Sequence, residues 1–192
     1  MTFKAYDIFS SLLPGFLLLL AILNALGFTF DKDMVVAYTP VAFLLGYMIN
    51  TISSWLEDLY FFSWGGKPSR CLLQGRGIWK VKFYHSIKAK TLLNQDANPN
   101  ASLDELFSIA MRYANGQKDS RVEDFNGSYA LSRSLLTSVI FGSIFLLTQH
   151  YQDWRYYAIT IPTVFIMWLR SKQRAYYYCK EVLDVYLKIK TP

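Results

Sequence analysis

Residues 34–55 read MVVAYTPVAFLLGYMINTISSW, twenty-two positions without one Asp, Glu, Lys or Arg. A helix of that length and character suits the roughly 30 Å hydrocarbon layer of a bilayer, at a rise of about 1.5 Å per residue. Three further stretches share its character: residues 6–28 ahead of it, and residues 129–148 and 156–169 beyond a charged middle. The expected fold is therefore all-α and integral to a membrane. Four transmembrane helices form two hairpins, 6–55 and 131–169, with a cytoplasmic helical domain over 56–130 and a cytoplasmic helical tail over 170–192.

Composition agrees with that reading. Aromatic residues make up 17% of the chain, and many stand at the ends of the apolar stretches, where Tyr and Trp rings match the headgroup layer. The formal charge is +6, unevenly placed. Between the first two stretches lie Asp31, Lys32 and Asp33, a balance of −1, and between the last two Asp153 and Arg155 cancel. Residues 56–134 hold eleven Lys or Arg against eight Asp or Glu, and residues 170–192 hold six against two. The positive-inside rule puts the middle domain, the tail and both termini in the cytoplasm of a bacterial inner membrane. The first run is too long for a signal peptide and lacks a clear small-x-small cleavage site, so it is expected to be a mature span. Cys71 and Cys179, the only cysteines, are expected to be reduced thiols with neither a metal nor a disulfide role.

Local signals refine the layout. Residues 28–33 make a tight turn, so the first two stretches pair as an antiparallel hairpin, with Pro14-Gly15 early in the first and Pro40 early in the second. Apolar residues continue past Glu57 and Asp58 to Trp64, as in a helix running out along the interface, until Gly65-Gly66 and Pro68 break it. Ser102 followed by Glu105 is a capping box opening a helix through Leu106, Phe107 and Ala110, with Gly116 at its end. A long helix is expected from about Ser120 into the third stretch. The fourth passes Pro162 without a break and leaves the membrane at Arg170, Lys172 and Arg174.

Several constellations could carry function. Gly46, Asn50, Ser54 and Glu57, at steps of four, four and three, fall on one helical face, beside Ser53. In lipid such a row is either the wall of a hydrated passage or a packing face bonded across to another helix. Ser134, Ser138 and Gly142 form a small-xxx-small ladder, expected to pack against the fourth span or another subunit. Lys67, Arg70, Arg76, Lys80, Lys82, Lys88 and Lys90 form a basic block without an acid, interleaved with Trp79, Phe83 and Tyr84. It reads as a topology signal, a surface for anionic lipid, or a nucleic-acid contact. Residues 91–124 then hold six acids, Asp119, Glu123 and Asp124 among them, against three bases, so the domain is polarised and pairing within the subunit is expected.

Catalysis has little to stand on. His85 and His150, the only histidines, are expected on opposite sides of the membrane. There is no His-Glu-x-x-His, no Gly-x-Ser-x-Gly, no phosphate-cradling loop, and no Arg-x4-His pair of the ribonuclease kind. No catalytic residue, metal ligand or cofactor is assigned. The sequons at Asn100 and Asn126 face the cytoplasm in this topology and are expected to be accidental.

Tyr6-Asp7-x4-Leu12-Leu13-Pro14-Gly15, Gly46-x3-Asn50 and Phe125-x3-Tyr129-x3-Arg133 form a layout. It resembles that of mostly uncharacterised small bacterial four-span membrane proteins from anti-phage defence loci. It resembles more loosely the membrane accessory proteins of RNA-targeting CRISPR systems. The resemblance implies self-association and disturbance of the membrane once a partner senses infection; it transfers no site residues. The expected function is thus a non-enzymatic membrane effector or accessory protein, a homo-oligomer that alters permeability. The alternative is a membrane-anchored adaptor recruiting a protein or RNA partner through the basic domain. A third reading is a lipid-modifying enzyme using Glu57 or Asp58.

Overall fold

The computed structural model describes residues 5–117 and 120–191, with side chains from residue 10 onward. The chain is helical over 79% of its length, with no strand among the described residues. In order, the helices are α1 (Ala5–Ala25), α2 (Val35–Trp55), α3 (Glu57–Ser63), α4 (Pro68–Leu73), α5 (Ser86–Asp96), α6 (Leu103–Asn115), α7 (Val122–Gln149) and α8 (Trp154–Lys190). A 3₁₀ turn, Lys32–Met34, precedes α2, where the Asp33 amide donates to Asp31 Oδ1 at 2.9 Å. Two segments, Lys32–Trp55 and Val122–Gln149, are long and apolar enough to cross a membrane; the apolar part of α1, Ser10–Ala25, is shorter. The side chains of Tyr6 and Asp7, and Asp119 of the acidic run, lie outside the described residues.

The chain divides into two compact units, and α7 and α8 contribute residues to each. The first comprises Met1–Glu57 and Ala130–Ser171. Its α1 and α2 are antiparallel and in close contact. Its side-chain distribution is the reverse of a water-soluble bundle. Ser53, Ser134, Thr137, Ser138 and Ser171 are buried, while Val36, Leu44, Met48, Ile159, Ile161 and Ile166 are exposed. Small and hydroxyl-bearing residues let helix backbones approach closely, leaving the bulky aliphatic side chains to face outward.

The second unit, Asp58–Tyr129 with Lys172–Pro192, is built the ordinary way round. Leu72, Val81, Leu93, Leu106, Val182, Leu183 and Tyr186 are buried together in one core. The α8 share of that core, Tyr176, Cys179, Val182, Leu183, Tyr186 and Leu187, follows the three- and four-residue spacing of one helical stripe. Cys71 and Cys179 are buried in it and form no disulfide. Gly65 and Gly66, at φ +84° and +124°, turn the chain between α3 and α4 in a region that L side chains avoid. The capping box forms: Ser102 Oγ accepts from the Glu105 amide and Glu105 Oε2 accepts from the Ser102 amide. Gly116 caps the far end in a right-handed conformation, φ −73°, so its position does not depend on glycine's freedom.

Candidate functional site

The polar row expected along one face of α2 is redistributed. Leu56 (φ −79°, ψ −1°) interrupts the helix, and Glu57 opens α3 instead of extending α2. The inward line of α2 is Ala42, Gly46, Ile49 and Ser53. Ser54, expected on that line, is exposed, because the buried line runs through Ser53 and the next residue of a helix is turned about 100° from it. Asn50 is half-buried beside the line.

These groups meet α7. Ser134 Oγ donates to Asn50 Oδ1 at 3.1 Å and lies 3.4 Å from Ser53 Oγ. Ser53 Oγ also donates to the Asn50 carbonyl at 2.8 Å. Arg133 Nε donates to Ser53 Oγ at 3.3 Å, and Arg133 Nη1 stands 3.0 Å from Glu57 Oε2. The guanidinium is only 12% exposed and its carboxylate 29%, so each needs the other: a charge withdrawn from water is tolerated only when paired. One helical turn on, Ser138 Oγ donates to the Pro14 carbonyl at 2.9 Å. A further turn on, a Cβ on Gly142 would stand 3.5 Å from the Ala21 Cβ.

The ladder Ser134, Ser138, Gly142 thus packs on α2 and α1 of the same chain. The sequence reading had offered it to the fourth span or a second subunit. It also missed Ser53 as the hub and Arg133 as the charge that pairs with Glu57. The signal for Arg133 was present: it is the single cation within residues 129–148, and a lone charge in an apolar run calls for a partner. Chemically, this seam clamps α1, α2 and α7 together. It has neither a histidine nor a thiol to move a proton or attack a substrate.

In the second unit the basic block separates into two parts. Arg70 Nε and Nη2 each donate to a different Asp104 oxygen at 2.6 Å, and Lys67 Nζ lies 3.5 Å from the same carboxylate. The Arg70 fork holds the Asp104 carboxyl below the usual range. This is pairing within the subunit, as the polarised charge pattern suggested. Arg76, Lys80, Lys82, Lys88 and Lys90 are exposed around a short hairpin, where Ile78 and Val81 form an isolated antiparallel bridge. Elsewhere in this unit Tyr186 Oη and Lys190 Nζ both donate to Asp96 at 2.9 Å, fixing α8 to α5. Bonded to Lys190, Asp96 titrates below its ordinary range, while burial raises Tyr186.

Among the described residues, no three His, Cys, Asp or Glu side chains group to hold a metal. Comparison with protein-family models, with curated proteins and with solved structures finds no match.

Proposed function

We propose that this is a non-enzymatic, multi-pass protein of a bacterial inner membrane, and that it works as an adaptor holding its helical second unit in the cytoplasm. The observation that carries this is the reversed polarity of the first unit. Its hydroxyl and small residues are inside, and its aliphatic residues are outside in numbers that water-soluble monomers rarely expose contiguously. Lipid is the solvent that suits such a surface, and the four apolar stretches are its spans. The second unit has a water-compatible core and a basic surface, and the positive-inside rule assigns it to the cytoplasm. The adaptor reading gains over a conducting one because Asn50, Ser53, Glu57 and Ser134 are bonded within the chain, so this row is committed to helix packing. The test is fractionation with tag accessibility. The protein should remain with membranes after carbonate extraction, and a tag at exposed Asn98 should resist protease until the inner membrane is permeabilised. Release into the soluble fraction, or a tag reached from outside, would end this reading.

A second reading, the self-associating permeability effector of anti-phage defence, draws on a different feature. An open groove of about 340 Å³ runs between α1, α7 and α8, with Asn24, Ser138, Ser143, Thr160 and Thr163 along otherwise apolar walls. Polar groups on such a surface in lipid favour a helix partner, which a second copy would supply. Mass measurement in nanodiscs and ion flux from liposomes separate the readings: a monomer without flux leaves the adaptor, and a ring with flux favours the effector.

A further inference from the structure

We infer that the hairpin around residues 78–84 is a docking tip for anionic phospholipid headgroups at the surface of a bilayer. This rests on the membrane reading above only for where the lipid comes from.

The tip is short and firmly seated. The Ile78 amide donates to the Val81 carbonyl at 3.0 Å and the Val81 amide returns the bond at 2.9 Å, leaving Trp79 and Lys80 at the turn. Alternation then sorts the side chains. Val81 and Phe83 are buried in the core, whereas Lys80, Lys82 and Tyr84 point outward. Trp79 is 89% exposed, Tyr84 82% and, at the start of α5, Ile87 83%. Three large apolar side chains presented to solvent within nine positions, on a unit whose core is otherwise well filled, call for a partner. Lys80 Nζ lies 5.0 Å over the Trp79 ring, so a cation travels with the aromatic. Beside them is a cleft of about 310 Å³ whose lining includes Trp79, Lys82, Phe83 and Tyr84.

The chemistry selects lipid over nucleic acid. Aromatic rings and lysines serve either partner, since bases stack and phosphates attract cations. An exposed isoleucine has no face to offer a base, but it enters the acyl boundary readily, and Trp and Tyr prefer that depth. Lys67 and Arg70 are not part of the tip, being committed to Asp104. The cations that remain, Lys80 and Lys82 foremost, match a phosphodiester headgroup, and each cation near an anionic leaflet contributes on the order of 1 kcal/mol.

The full chain is placed in nanodiscs whose acyl chains are brominated near the headgroup, with either phosphatidylcholine alone or added phosphatidylglycerol. The Trp79 contribution to fluorescence is the difference between wild type and Trp79→Phe. Quenching of that contribution is expected in phosphatidylglycerol discs and not in phosphatidylcholine discs. K80E/K82E, two exposed substitutions, should reduce it about tenfold with helical content unchanged. Equal quenching in both lipids, or none in either, would overturn the proposal. So would a Trp79 response in phosphatidylcholine discs to inorganic phosphate, meaning a soluble anion site, or to single-stranded RNA, meaning a nucleic-acid site. If the chain were soluble without detergent, the membrane reading alone would fall, and the same quenching with added vesicles would decide the tip.

Discussion

Gly15 of α1 and Gly46 of α2 lie against each other's backbone. A Cβ built on Gly15 would overlap the Ala42 carbonyl oxygen and come within 2.6 Å of the Gly46 amide nitrogen. A Cβ on Gly46 would overlap the Ser11 carbonyl oxygen and come within 3.2 Å of the Gly15 amide nitrogen. The first helix pair therefore closes backbone on backbone, and its two glycines are required by space, not by dihedral freedom.

Gly15→Ala and Gly46→Ala should each destabilise the first unit by about 1–3 kcal/mol or more, because what must move is backbone. Gly142→Ala is the contrast: its new methyl meets the Ala21 Cβ at 3.5 Å, ordinary contact, so the change should stay within about 0.5 kcal/mol. Thermal unfolding in one detergent checks the three together. A Gly46→Ala protein as stable as wild type would refute the close approach.

The Arg133–Glu57 pair should show strong coupling. Arg133→Met leaves a half-buried carboxylate without its cation, and Glu57→Gln leaves a guanidinium 12% exposed without its anion. Each single change should cost on the order of 1–3 kcal/mol, and the double change less than the two combined. Additive losses in a double-mutant cycle would mean that the two charges are held separately.

Acid should loosen the second unit through Asp96 and Asp104. Lys190 holds the first carboxyl below its ordinary value of 3.8, and Arg70 holds the second below the same value. A carboxylate depressed in the folded state binds fewer protons there than when unfolded. Its stabilisation is therefore complete above the ordinary value and disappears as pH falls through the lowered one. Asp104→Asn should lower stability at neutral pH and flatten the decline below about pH 4. Hydrogen exchange of the α6 amides against pH reports the difference; an unchanged slope would count against the pairing.

Asp184 has the opposite sign. Burial raises its carboxyl, outweighing Lys180 and His85 nearby. The charged form is thus disfavoured by folding at neutral pH, and the penalty is relieved as pH falls through the raised value. Asp184→Asn should stabilise the second unit at neutral pH, with the gain shrinking toward acid. A destabilised Asn variant at neutral pH would show that the carboxylate has a favourable partner.

Much of the helix layout was legible because it is written locally. The Ser102–Glu105 box and the Gly65-Gly66 break are patterns within a few residues of one another. The all-helical character follows from the same periodicities. The partners were not legible. Serine and glycine at intervals of four announce a close contact without naming the helix that makes it, so Ser138 gave no hint of the Pro14 carbonyl. Glu57 looked like the end of the α2 row because the interruption at Leu56 is a matter of dihedrals, with neither Gly nor Pro to mark it. Arg70 and Asp104 are 34 positions apart, and only the packing of α4 on α6 brings them together. The Ile78–Val81 bridge, too short for a strand pattern, was hidden within a run of lysines.

The core of the second unit joins Leu72, Leu93 and Leu106 to Val182, Leu183 and Tyr186, residues made on either side of α7, which is long and apolar enough to cross a membrane. During synthesis α4, α5 and α6 leave the ribosome with one wall of that core still unwritten. They cannot close until α8 is complete, by which time the intervening α7 has had to find its own solvent. Closure of this domain therefore waits on α8, and a ribosome stalled within α7 would leave its leucines open to chaperones.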